Sequence, residues 1–186
     1  MADIHLDLTG AATRKSIFGT LVPLLADDVT RAKVGIVVGD SSIRTEQHLH
    51  DIADVERAID LTVASDFAKE NARAIYRILA EAEAQVHGCP VEETHFHEVG
   101  RGLTVREILG ICACIELLAP AKITATAVQT GSGTVECSHG TLDIPAPATK
   151  AILDKYQIPT VEEKLDGELC TPTSAAIIAH FVEEFI

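Results

Sequence analysis

Four of the eight histidines fall in two His-x-His pairs, His48-Leu-His50 and His95-Phe-His97, and Glu98 directly follows the second. Residues i and i+2 share a face only where the chain is extended; on a helix they point about 200° apart. A His-x-His pair therefore closes on one metal ion only from a strand or a loop. The polar segment 41–51, which carries the first pair, meets that condition. The second pair is open to two readings. If extended, His95 and His97 bind together; if a helical turn starts at Pro90-Val-Glu-Glu93, His95 pairs with Glu98 at i, i+3. Either way, imidazole plus carboxylate suits a borderline metal such as nickel, zinc or cobalt and does not select among them. Ordinary surface histidines beside a solvated glutamate fit the same spacing equally well.

Other chemistry is more thinly signalled. Cys137-Ser-His139-Gly140 offers a thiol and an imidazole beside a glycine-rich turn, able to bind metal or act as a base. A small buried cysteine and a turn histidine is the reading that spacing alone favours. Gly131-Ser132-Gly133 can aim backbone N–H groups at an anion, although a lone Gly-Ser-Gly is more often just a tight turn. Arg101 and Arg106, just after the His/Glu segment, are candidates for gripping a phosphate or carboxylate, with a solvated first helical turn as the plainer account. Asp7 falls near the carboxyl end of the first predicted strand, where α/β folds tend to place site residues. His87 reads as complementing a helix dipole, and His180, Cys89 and Cys112 as structural.

The elements that must position these residues follow from periodicity. Ile4, Leu6 and Leu8 alternate with polar residues, predicting a strand, and residues 33–38 predict a second, more buried one closed by Gly39-Asp40. Ile17, Phe18, Leu21, Val22 and Leu25 predict a short helix between them, and Asp54 caps another carrying Val55 and Ile59. Ala68, Ala72, Ile75, Leu79, Ala82 and Val86 form one apolar stripe, predicting a helix over 66–87 with Gly88 as its C-terminal cap. Thr104 and Glu107 predict a capping box for the next helix, which Pro120 stops. Residues 122–129 and 134–137 predict strands around a turn at 131–133, and Pro145 and Pro147 precede a short helix. Thr171 and Pro172 start the last helix, with Ala175, Ile178, Val182 and Phe185 on its buried face. The fold class is mixed α/β (α+β): a compact single domain, residues 1–186, with a small sheet packed by about five helices.

Composition bounds the function. Apolar residues make up 47% of the chain, and with no Trp the core must be Ala, Ile, Leu and Val. The formal charge of -13 is the wrong sign for nucleic acid, so an anionic small substrate would need a local basic patch. Five cysteines without a CxxC pair predict reduced thiols. No apolar run reaches the roughly 18 residues of a membrane span, and the start shows no secretory signal. The expected setting is the cytoplasm, with no membrane partner, and a small, apolar, acidic chain of this kind is expected to form a homo-oligomer.

Longer motifs carry a family resemblance. Leu79-Ala-Glu-Ala-Glu-Ala-Gln-Val-His87-Gly, His95-Phe-His-Glu-Val-Gly100, Gly131-Ser-Gly-Thr-Val-Glu-Cys137-Ser-His139-Gly-Thr-Leu, Pro145-Ala-Pro-Ala-Thr149 and Gly167-Glu-Leu-Cys-Thr171-Pro-Thr173 resemble the LarC nickel-insertion family, as does His48-Leu-His-Asp-Ile52 in shortened form. The resemblance is strong over 47–186 and weak over 1–46, and it marks an amino-terminal-domain-like chain. It implies nickel insertion into a pyridinium-3,5-bisthiocarboxylate mononucleotide, in the biosynthesis of a nickel-pincer cofactor, with formation of a metal–carbon bond. His48, His50, His95, His97 and Glu98 become candidate ligands for Ni2+ or another divalent metal. Gly131, Gly133, Cys137 and His139 become candidate contacts to metal or substrate, and Asp7 matches the acidic residue of the family's first strand. The CTP-binding half of family members has no counterpart here, so CTP is expected only from a separate chain. Two family carboxylates are also replaced: Gly-Asp-Met by Arg14-Lys15-Ser16, and Ala-Val-Asp-Ser by Arg101-Gly-Leu-Thr104. Three functions remain in view: a nickel chelatase, perhaps as one half of a two-chain enzyme; a non-catalytic metal or metallocofactor carrier; and a metal-assisted hydrolase of a phosphorylated small molecule.

Overall fold

The computed structural model describes residues 2–137 and 140–186. In chain order it contains β1 (Ile4–Leu6), α1 (Arg14–Leu21), α2 (Asp28–Val38), α3 (Ile52–Asp60), α4 (Asp66–His87), α5 (Gly102–Leu118), β2 (Ile123–Ala125), β3 (Gly131–Ser132), β4 (Thr134–Cys137), β5 (Gly140–Asp143), α6 (Pro147–Lys155), β6 (Gly167–Glu168), α7 (Pro172–Phe181) and β7 (Glu184–Phe185). Short 3-10 turns at Val22–Leu24 and Val91–Glu93 extend α1 and follow α4. The predicted mixed α/β class stands, with seven α-helices among the described residues.

The main sheet is small and parallel, in the order β1-β2-β7. Parallel neighbours require crossovers: α1 to α5 lie between β1 and β2, and α6 and α7 between β2 and β7. Two antiparallel ribbons, β4–β5 and β3–β6, stand apart from it. α4 is the hub, packing against α3, α5, α6 and α7. Its stripe of Ala68, Ala72, Ile75, Leu79 and Ala82 is buried, and the small alanines let neighbouring helices approach closely. Ser65 caps the start of α4, and Gly88, at φ 66°, ends it in the left-handed conformation glycine adopts without strain.

Several elements differ from the sequence expectation. Residues 33–38, read as a strand, belong to α2. Its start is fixed by a capping box in which Asp27 accepts from the Thr30 N–H at 2.8 Å, and packing against α5 overrides the strand preference of its Val and Ile residues. Asp51, rather than Asp54, caps α3. Thr104 is buried inside the first turn of α5, which starts at Gly102 behind Arg101 with no side-chain cap, so the Thr104–Glu107 capping box does not form. The strand expected over 122–129 is regular only at Ile123–Ala125. α7 ends at Phe181, so Phe185 packs from β7 instead. Of the turn expected at 131–133, Gly131 and Ser132 form a paired strand, with Gly131 opposite Glu168, and Gly133 bends the chain after it. Only glycine fits at Gly131, because at φ 83° a Cβ would stand 1.8 Å from the Gly167 carbonyl oxygen.

Candidate functional site

The two His-x-His segments lie side by side. The Leu49 N–H donates to the Gly100 carbonyl at 2.8 Å, the Phe96 N–H to the His50 carbonyl at 2.7 Å, and the Gly102 N–H to the Gln47 carbonyl at 2.8 Å. Glycine permits this approach, since a Cβ on Gly100 would come within 2.1 Å of the Leu49 carbonyl oxygen. Phe96 is the anchor: it is buried against Tyr76 of α4, whose hydroxyl donates to the Val99 carbonyl at 2.8 Å. Burying Phe96 leaves His95 and His97 exposed on either side of it. Of the two readings left open, the non-helical one holds, because the 3-10 turn ends at Glu93 and Thr94 is extended.

His48 Nε2 donates to the His97 carbonyl oxygen at 2.8 Å. A carbonyl only accepts, so this bond fixes the proton on Nε2 and leaves Nδ1 as the basic nitrogen of the neutral ring. The His48 and His50 rings lie with centroids 4.8 Å apart. All four histidines of the two pairs are exposed. Among the described residues, no group of three or more His, Cys, Asp or Glu side chains is arranged to hold a metal ion.

Beside this ladder opens a cleft of about 570 Å³, the size of a small-molecule site. It gathers pieces distant in sequence: the last turn of α4, residues 97–99, the starts of α1, α5, α6 and α7, the β4–β5 ribbon and Glu168 of β6. Of the sequence candidates, His97, Glu98, Arg101 and Cys137 line it. The cleft combines apolar walls, including Val86, Val99, Leu103, Val135 and Leu142, with four glutamates (Glu83, Glu98, Glu136, Glu168) and two arginines (Arg14, Arg101). Each arginine is already paired, Arg101 with Glu98 at 3.2 Å and Arg14 with Glu107 at 3.1 Å. Partial burial pushes the Glu168 carboxyl above its usual range. The Cys137 thiol donates to the Gly140 carbonyl at 3.4 Å.

The helix starts matter as much as the side chains. α5, α6 and α7 all present their amino-terminal ends to the cleft, through Arg101, Leu103 and Thr104, through residues 146–148 and through residues 171–173. Ala146, at the cap of α6, makes no side-chain cap hydrogen bond, and Pro147 begins the helix without an N–H of its own. Three positive helix ends on one cavity favour an anion.

Other candidates lie elsewhere. Arg106 donates from Nε to the Val38 carbonyl at 2.5 Å and from Nη1 to the Ile43 carbonyl at 3.4 Å, tying α5 to the end of α2 and the segment after it. The Gly131 N–H donates to Gln129 Oε1 at 3.0 Å, and Ser132 Oγ to the Leu165 carbonyl at 3.0 Å, so both serve the β3–β6 ribbon; Gly133 is exposed and accepts from the Ile144 N–H. Asp7 is exposed at the end of β1, where hydrogen bonds from the Thr9 hydroxyl and N–H hold its carboxyl below the ordinary range. His139 lies outside the described residues. Sequence reasoning missed Glu83, His87, Glu168 and Arg14 as cleft residues. The motif strings around the first three were the available signal.

The sequence profile of the nickel insertion protein family matches residues 8–186. This chain belongs to that family. It is 34% identical over 188 residues, covering all of this chain, to the pyridinium-3,5-bisthiocarboxylic acid mononucleotide nickel insertion protein of Acetivibrio thermocellus. It is 40% identical over 164 residues, 84% of this chain, to the protein of the same name from Clostridium kluyveri, and 38% identical over 168 residues, 90% of this chain, to that of Akkermansia muciniphila. The alignments span 44%, 41% and 39% of those relatives, so the chain corresponds to about two fifths of their length. No solved structure matches it. No helix among the described residues is long and apolar enough to cross a membrane. Within the His95-Phe-His-Glu98 string, His97 and Glu98 line the wall of the cleft.

Proposed function

We propose that the cleft binds an anionic pyridinium mononucleotide and brings Ni2+ to it. The observation that carries this reading is the charge on the walls. Three positive helix ends and two arginines suit an anion, yet four glutamates line the same space. An anion alone meets repulsion there, and one divalent cation balances the formal excess of carboxylates over guanidiniums. A site for a divalent metal together with a phosphorylated, thiocarboxylated ligand has this make-up.

In that complex, Arg101 and Arg14 exchange their glutamate partners for phosphate or carboxylate oxygens, a bidentate geometry that guanidinium favours. The apolar walls take the pyridinium ring. His97 and Glu98 donate to the ion from the wall, while His48 and His50 are imidazoles on the neighbouring surface that collect it and His95 points away across buried Phe96. Cys137 stands where a thiol can assist ligand exchange. CTP is assigned to a separate partner domain or chain.

Leu103 gives the carrier reading its own support, since it stands in the cleft 43% exposed where the resemblance expects a carboxylate. One experiment separates the readings: incubate the chain, together with the carboxyl-terminal part of a nickel insertion relative to supply the CTP site, with the bisthiocarboxylate mononucleotide, Ni2+ and CTP, then look for the nickel-containing mononucleotide by mass spectrometry. Protein-dependent product supports insertion. Saturable binding of mononucleotide without product supports the carrier. Absence of mononucleotide binding contradicts both.

A further inference from the structure

The last turn of α4 carries a donor pair outside the two His-x-His motifs. Glu83 and His87 are one turn apart at i, i+4, and both line the cleft. His87 Nε2 lies 3.6 Å from Glu83 Oε2, and the Glu83 side chain is only 14% exposed. Two donors each about 2.1 Å from one ion stand about 3.0 Å apart at a right angle and about 3.4 Å apart at a tetrahedral angle. The observed spacing is within small side-chain adjustment of that bite. Position in the fold agrees: the carbonyl end of the helix carries partial negative charge, which favours a cation. The positive ends of α5, α6 and α7 face the same cavity, so it has a wall for a cation and walls for an anion.

We propose that Glu83 and His87 form the landing site where Ni2+ is held before transfer, which rests on the cleft's being the mononucleotide site. Two donors on one helical turn leave most of the ion's coordination open, so they hold it loosely enough to surrender it. In the transfer, the Ni–N bond to His87 and the Ni–O bond to Glu83 break as Ni–S bonds to the two substrate thiocarboxylates form. Nickel remains divalent, both electron pairs return to the protein donors, and no redox partner is needed.

The test is a calorimetric titration of Ni2+ into the untagged chain, as parent, Glu83→Gln and His87→Ala, with a separate titration of the mononucleotide into each. Loss of even an outer partner of a metal ligand weakens binding by roughly tenfold or more, so each variant should lose at least that in Ni2+ affinity. Glu83→Gln keeps the side chain's shape, and an unchanged thermal midpoint shows that the fold is intact. Lowered Ni2+ affinity with mononucleotide binding retained supports the proposal. Unchanged Ni2+ affinity in both variants overturns it. Failure of the parent to bind mononucleotide would instead contradict the reading of the cleft, while the Ni2+ titrations still decide the donor pair.

Discussion

Glu168 and His97 make separable claims at the scale of single residues. A carboxyl whose folded pKa is raised favours folding while protonated; that contribution is present below the unfolded value and lost as pH rises through the raised one. Burial raises Glu168, so near pH 7 its ionised form weighs against folding. Glu168→Gln should therefore raise the thermal midpoint at pH 7 to 8 and do so much less near pH 4; an equal change at both pH values would contradict the burial account. Removing this negative charge from the cleft should also tighten mononucleotide binding. The histidines divide differently. His97 lines the cleft, and His95, across buried Phe96, does not. His97→Ala should weaken Ni2+ binding by about tenfold or more while His95→Ala changes it little, as read by titration with circular dichroism to check helix content. Equal losses would mean that the pair acts as one chelate on the outer surface.

Elements decide how much of this was legible beforehand. α4 could be read because its apolar stripe and Gly88 agree, although Val86, the stripe's last position, is exposed and faces the cleft. α2 could not: Val34, Ile36, Val37 and Val38 favour strands locally, and the deciding facts are an Asp27–Thr30 capping box and a face packed on α5. The Thr104–Glu107 pattern misled for the opposite reason. Backbone pairing of residues 100–103 with 45–49 starts α5 earlier, so Thr104 is buried in its first turn. Gly131 shows what a short motif hides. Its sequence context suggested a turn, but its positive φ and its contact with Gly167 build the β3–β6 ribbon that sets Glu168 into the cleft. Gly131→Ala should cost about 3 kcal/mol or more of stability, seen as a lower urea midpoint. A change below about 1 kcal/mol would mean that the ribbon re-pairs without strain.

At the scale of the molecule, the cleft exists only because the fold gathers residues 83–104, 135–148 and 168–173 around the start of α1. The sequence displayed His97, Glu98, Arg101 and Cys137 as candidates, yet nothing local says that three helix starts converge beside them, since that follows from the crossovers around the β1-β2-β7 sheet. The same convergence explains how a chain of formal charge -13 can attract an anion: partial positive charges and two arginines act at short range inside a cavity, where the overall field is least able to compete. The most direct measurement is the affinity of the mononucleotide for the parent and for the Arg14→Ala/Arg101→Ala double variant, by calorimetry at 0.15 M salt. A charge-assisted hydrogen bond contributes about 1.5–3 kcal/mol, so the double variant should bind about a hundredfold more weakly or worse, with its thermal midpoint little changed. Equal affinity in the two proteins would contradict the account and place the mononucleotide outside this cleft.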